Sequence, residues 1–132
     1  MGLKENVLEA LEAFLPRNAL LVDEEVSVRK AGGLHTEEAV KAKVIVRPET
    51  TEEVSKIVKI CYENSIPIIP FGTGTSLEGH VLGNENGITI SLERMNKILE
   101  VNNEDFDCRV EACVTRKQLN EHLKDQGLFF PI

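Results

Sequence analysis

The sequence is short of cysteine and of positive charge, and it has no long apolar run. Its three cysteines, Cys61, Cys108 and Cys113, are odd in number, and no two stand at CxxC spacing. That argues against a secreted disulfide framework and against a zinc site built from cysteine. It favours an intracellular, reducing compartment in which the thiols serve as small apolar side chains. Lys and Arg number 15 against 22 Asp and Glu, a formal charge of −7. A surface of that sign does not attract a polyphosphate chain, so no nucleic-acid partner is expected, although one phosphate held by backbone amides stays compatible. Apolar stretches such as residues 66–71 are far too short for a transmembrane segment. The first residues, Met-Gly-Leu-Lys-Glu-Asn, contain acid and show no targeting pattern. This narrows the location to the cytoplasm, or to the mitochondrion if a presequence has been removed. The histidines His35, His80 and His122 have no metal-ligand spacing, so no metal site is expected.

What is present is ordinary for a folded chain. The 132 residues are 42% apolar and 28% charged. One domain of that size buries roughly two thirds of the surface its unfolded chain exposes. Leu3, Val7, Leu8, Leu11 and Phe14 recur at helical spacing before Pro16, which predicts a helix over 3–15. Residues 17–42 carry the breaker Ala31-Gly32-Gly33, and Thr36 can open a short turn of helix. Lys43 to Arg47 reads as a strand stopped by Pro48. Thr50 and Glu53 have capping-box spacing. Val54, Ile57, Val58 and Cys61 then form an apolar stripe closed by Asn64 and Ser65. Residues 66–71 read as a buried strand, so 43–71 forms a strand–helix–strand unit with parallel strands and a right-handed crossover. Residues 87–92 alternate weakly as a strand, and 98–101 with 108–111 read as a hairpin. Cys108 and Cys113 are taken as strand positions facing opposite sides. Thr115 caps a last helix, with Leu119, Leu123 and His122 as candidates for its inner face and Gly127 as its stop. The apolar run Leu128-Phe129-Phe130-Pro131-Ile132 reads as a chain cut inside a domain, and points to self-association through that end.

The chemistry concentrates in Gly72-Thr73-Gly74-Thr75-Ser76-Leu77-Glu78-Gly79-His80, which follows Phe71 directly. Glycines permit positive φ and close backbone approach, and successive amides in such a turn form an anion cradle. Thr73, Thr75 and Ser76 add hydroxyl donors. A Walker A loop is excluded because no lysine lies between Lys59 and Lys97. A Rossmann fingerprint is excluded because Leu77 stands where its third glycine belongs, and because the stretch to Gly87 is rich in helix breakers. On composition alone two readings remain: a phosphate cradle, or a plain glycine-rich connection between strands.

Residues 70–79, Pro-Phe-Gly-Thr-Gly-Thr-Ser-Leu-Glu-Gly, resemble the pyrophosphate loop of the FAD-linked oxidases of the vanillyl-alcohol-oxidase, or PCMH, type. Within these they are most similar to the D-lactate dehydrogenase and glycolate oxidase branch. The flanks agree in order and spacing: Arg47-Pro48-Glu49-Thr50-Thr51-Glu52-Glu53-Val54 before the helix, Val114 to Asn120, and Gly127 to Pro131. The resemblance implies an α+β fold, a small sheet with flanking helices, as the first subdomain of a PCMH-type FAD-binding domain. It implies a helical lead-in over 1–42 and the first FAD-binding subdomain over 43–132, cut before a second subdomain. It implies FAD held by Phe71, Gly72, Thr73, Gly74, Thr75, Ser76, Gly79 and His80, and a small 2-hydroxy acid as substrate of the whole enzyme. Relatives that attach flavin covalently place a histidine where this chain has Thr75, so the FAD is expected to be noncovalent, and weakly held or absent in this fragment. Relatives often have Pro-Gly at Ala112-Cys113, so no cofactor contact is carried onto Cys113. No catalytic acid or base is assigned. The alternatives are a non-catalytic interaction module, or another flavoenzyme of the same superfamily.

Overall fold

The computed structural model describes residues 5–22, 44–74 and 86–131. Contacts divide the chain into two compact units, residues 1–94 and 95–132.

In the first unit, α1 (Glu5–Glu12) leads through a 3-10 turn, Arg17–Ala19, into β1 (Leu20–Val22). β2 (Val44–Val46), α2 (Thr51–Glu63), β3 (Ile68–Phe71) and β4 (Ile88–Ser91) follow. The sheet order is β1-β2-β4-β3. β1 is antiparallel to β2, whereas β2 and β3 both run parallel to β4. The strand–helix–strand reading of 43–71 therefore has the right strand direction, but β4 is inserted between its two strands. β1 falls where the sequence shows no clear period, and it owes its place to pairing with β2.

Val7 and Leu11 of α1, Ile57 and Cys61 of α2, and Val44, Val46, Ile88 and Ile90 of the central strands form one buried cluster. The two helices thus cover one sheet face. Leu3 lies outside the described residues, as does the turn at Thr36. Val58 departs from the expected stripe: it is 40% exposed, while Ile60, about one turn on from Ile57, packs on the cluster instead. The 66–71 strand also needs correction. Among the described residues β3 is an edge strand, half-buried at Ile68 and Ile69 and exposed at Pro70, with only Phe71 buried. β4, by contrast, does not alternate; all four of its residues are buried, as befits a strand flanked on both sides by parallel neighbours.

α2 starts as its spacing predicts. The Thr50 hydroxyl accepts the Glu53 N–H at 3.1 Å, and the Glu53 carboxylate accepts the Glu49 N–H at 2.7 Å. At its other end Ser65 takes φ +54, and the Ile66 N–H returns to the Cys61 carbonyl at 2.9 Å. Burial pushes the Cys61 thiol pKa up, because the thiolate loses its hydration inside the core. Native Cys61 is accordingly expected to resist alkylation at mildly alkaline pH and to react only on unfolding. Peptide mass spectrometry after native and denatured labelling checks this; native labelling at Cys61 would contradict its burial. The same shift predicts that stability falls as pH rises past about 8.5, where the unfolded thiol ionises and the folded one does not.

On the opposite sheet face, Thr89 lies in register with Ile45 and Ile69. It is 2% exposed, and its hydroxyl has no hydrogen-bond partner among the described residues. Thr89→Val keeps the shape and the strand preference while removing that unpaired group. It is expected to raise stability by about 1 kcal/mol. Thermal unfolding of the two forms checks this, and a lower melting temperature for the variant would show that the hydroxyl is satisfied.

In the second unit, β5 (Ile98–Asn102) and β6 (Asp107–Val110) pair as the expected antiparallel hairpin, with a register shift between Ile98 and Glu100. The Asn102 amide donates to the Asp107 carboxylate at 2.7 Å beneath the turn. Cys113 is not a strand position: β6 ends at Val110, and the Cys113 N–H donates to the Met95 carbonyl at 2.8 Å in the turn that follows. All three cysteines are free. α3 (Arg116–Leu123) is capped by the Thr115 hydroxyl, which accepts the Gln118 N–H at 3.1 Å. Leu119 and Leu123 are buried, but His122 is exposed, since it precedes Leu123 by one residue and so points about 100° away from it. A 3-10 turn, Lys124–Gln126, closes the helix at Gly127, with φ +70. The Asn120 carboxamide then accepts the Phe130 N–H at 2.7 Å and donates to the Phe130 carbonyl at 3.2 Å.

Candidate functional site

Because β2, β4 and β3 are parallel, their carboxyl ends lie at one edge of the sheet, the edge at which ligands bind in open parallel sheets. Two ion pairs tie β2 to β4 there. Arg47 Nε stands 2.7 Å from Glu93 Oε1, and Arg94 Nη2 stands 3.2 Å from Glu49 Oε2. Each arginine at this edge is thus matched by a carboxylate. Among the described residues, an anion bound here would find backbone donors rather than an unpaired arginine.

The glycine turn leaves the same edge from β3. The Ile88 N–H donates to the Pro67 carbonyl and the Leu92 N–H to the Phe71 carbonyl, each at 2.9 Å, so pairing with β4 persists as far as Phe71. Alternation along a parallel strand turns Pro70 to the outer side, where its missing N–H removes no bond to β4. The chain leaves the sheet at Gly72.

The two described glycines of the turn have different physical reasons. Gly74 adopts φ +76, and a Cβ built there would lie 2.7 Å from Cζ of Phe71. The Phe71 ring, 7% exposed, occupies that space. Gly72 has no positive φ, and a Cβ built on it would meet nothing within 4 Å. Among the described residues nothing therefore requires glycine at 72, and none of them blocks approach to its α-carbon. That openness, together with exposed Gly72 and Thr73, fits a group held through backbone amides. Thr73 already makes a polar or ionic contact of its own. Thr75, Ser76, Gly79 and His80, the remaining sequence candidates, lie outside the described residues. Among the described residues no three metal-ligating side chains come together, and no helix is long and apolar enough to cross a membrane. A recess between the end of α1 and β1, lined by Glu12, Leu15, Arg17 and Leu20, includes none of the described residues of the glycine turn.

Residues 42–132 match the family model described as FAD binding domain. The chain belongs to this FAD-binding domain family. It is 51% identical over 89 residues to a protein of Danio rerio named "Probable D-lactate dehydrogenase, mitochondrial", covering 67% of this chain and 18% of that protein. It is 38% identical over 130 residues to a D-lactate dehydrogenase of Archaeoglobus fulgidus, covering 96% of this chain and 27% of that one. Among solved structures it is similar to p-cresol methylhydroxylase with substrate bound, at 26% identity and a TM-score of 0.77, over 93% of this chain and 25% of that chain. The chain thus spans between about a fifth and a quarter of the length of these proteins. The PCMH-type resemblance and the mixed α and β fold expected of this FAD-binding domain both hold.

Sequence reasoning missed two features of this site. The Arg94–Glu49 contact joins residues 45 apart in sequence, and no local period signals it. The packing of Phe71 against Gly74 is closer in sequence, but it depends on Gly74 turning back over the ring. The only available signal was an aromatic residue placed just before a Gly-x-Gly turn.

Proposed function

We propose that the chain is the N-terminal FAD-binding part of a flavin-dependent D-2-hydroxyacid dehydrogenase of the D-lactate type, with residues 1–42 as lead-in and 43–132 as first FAD-binding subdomain. The observation that carries the reading is the open α-carbon of Gly72 at the carboxyl edge of the parallel strands, within a chain of this family. In this reading the amides of Gly72, Thr73 and Gly74 donate to the pyrophosphate, and Thr75, Ser76, Gly79 and His80 continue the contact. Phe71 borders the same site. Backbone donors suit this role because they are fixed before the ligand arrives, and hydrogen bonds to a charged acceptor are worth about 1.5–3 kcal/mol each. Arg47 and Arg94 stay with their glutamates and hold β2 and β4 in place beside the turn.

When bound, the flavin supplies the hydride acceptor for the carbon that bears the substrate hydroxyl. The described residues supply no acid or base to that step; their part is to hold the cofactor. The FAD is noncovalent in this reading, because Thr75 lacks a nucleophilic imidazole. The 132-residue chain alone holds FAD weakly, since one wall leaves much of a ligand of that size in water, and affinity comes from enclosing it. Three free cysteines support a reducing compartment, and the name of the Danio rerio protein favours the mitochondrion over the cytoplasm. Exposed Phe129 and Phe130 support self-association of the isolated chain.

Anaerobic addition of D-lactate to the protein expressed from its whole reading frame is expected to bleach the flavin, and L-lactate is expected to leave it yellow. Bleaching by neither 2-hydroxy acid would contradict the assignment of substrate class.

A further inference from the structure

We propose that Phe71 is a positioning residue for the glycine turn, acting through Gly74 and making no contact with the cofactor itself. This rests on the reading of the turn as the seat of the FAD pyrophosphate. Phe71 is the last residue of β3, in register with Ser91 of β4. Its backbone is therefore held by the sheet. The ring is 7% exposed and end-on to Gly74: from the position of a Gly74 Cβ, Cζ is 2.7 Å away, and Cε2 and Cε1 are 3.4 and 3.5 Å away. Only a residue without a Cβ can lie against the ring in this way. Contact between ring and turn thus accounts for glycine at 74 twice over, by space and by φ +76.

The functional consequence follows from stiffness. Gly72 and Thr73 are exposed and lie between the end of β3 and a left-handed glycine. Free glycines sample many conformations, and each must be lost when amides converge on an anion. A buried ring fixed to the sheet and seated under Gly74 removes part of that freedom in advance. Phe71 thereby transmits the rigidity of β3 to the amides of residues 72–74.

The test uses the protein expressed from its whole reading frame, and compares Phe71→Leu with the wild type. Leucine keeps an apolar side chain in the same site but lacks the carbon that reaches Gly74. Three readouts are taken: the FAD dissociation constant by flavin fluorescence titration of the apoprotein, the 31P resonances of bound FAD, and the melting temperature of the apoprotein. Phe71→Leu is expected to weaken FAD by about tenfold, the equivalent of one charge-assisted hydrogen bond. It is also expected to shift the pyrophosphate resonances while the flavin absorption band keeps its shape. A core substitution on α2, Ile57→Val, serves as the control for stability: it is expected to lower the melting temperature without moving either FAD readout. In the apoprotein, Gly74→Ala is expected to lower the melting temperature less in the Phe71→Leu background than in the wild type, because the ring that its methyl would strike is gone. FAD affinity and 31P shifts unchanged in Phe71→Leu, with the wild type binding FAD normally, would overturn the proposal and leave the cofactor reading intact. Equal weakening by Ile57→Val would overturn it too, as a general effect of stability. A wild-type protein that takes up no FAD would overturn both.

Discussion

Alanine at position 74 is expected to lower the melting temperature of the chain by about 10 °C, the effect of about 2–3 kcal/mol on a domain of this size. Two costs add. A left-handed conformation costs a residue with a Cβ roughly 1–2 kcal/mol, and Gly74 sits at φ +76. The new methyl would also lie 2.7 Å from the para carbon of Phe71, a ring that is 7% exposed and has little room to retreat. Circular dichroism against temperature reads the result. A melting temperature within a degree or two of the wild type would mean that the turn relaxes freely, and that the contact between ring and glycine carries no energy.

Valine at position 72 is expected to do the reverse. Its side chain would enter open space, so the fold should lose no more than the roughly 0.5 kcal/mol typical of a surface change. In the whole protein, however, it would occupy the approach to the amides. Displacing the pyrophosphate from one or two charge-assisted hydrogen bonds should raise the FAD dissociation constant by about 100-fold. Titration of the apoprotein with FAD, beside the melting curve of the same preparation, separates the two effects. Normal affinity in Gly72→Val would place the ligand elsewhere. The two glycines stand two residues apart and have the same chemistry, yet Gly74 is required by the fold, whereas Gly72, in the proposed reading, leaves room for a ligand.

That distinction was not legible in the sequence, where Gly72 and Gly74 read alike. What separates them is φ and the position of the Phe71 ring, both set by β3 pairing with β4 rather than by neighbouring residues. The helices were legible because their signals are local. Thr50 with Glu53 and Thr115 with Gln118 form their caps within four residues, and Gly127 stops the last helix in the conformation it alone adopts at low cost. The hairpin of 98–110 was legible for the same reason. Strand order was not. β4 enters between β2 and β3, and β1 joins the far edge, through pairings remote in sequence that hydropathy does not encode. Misreadings of burial share that cause: β3 resembles a buried strand in composition but sits at an edge, and Val58 belongs to the stripe by spacing but lies past the rim of the core.

Flavin content of the protein purified from its whole reading frame tests the central claim most directly. Acid precipitation should leave about one FAD per chain in the supernatant and a colourless pellet, as expected where amides and packing hold the cofactor without a covalent bond. Flavin that stays with the pellet would contradict noncovalent attachment. A protein that carries no flavin and takes up none when FAD is added would contradict the assignment of this glycine turn as a cofactor site.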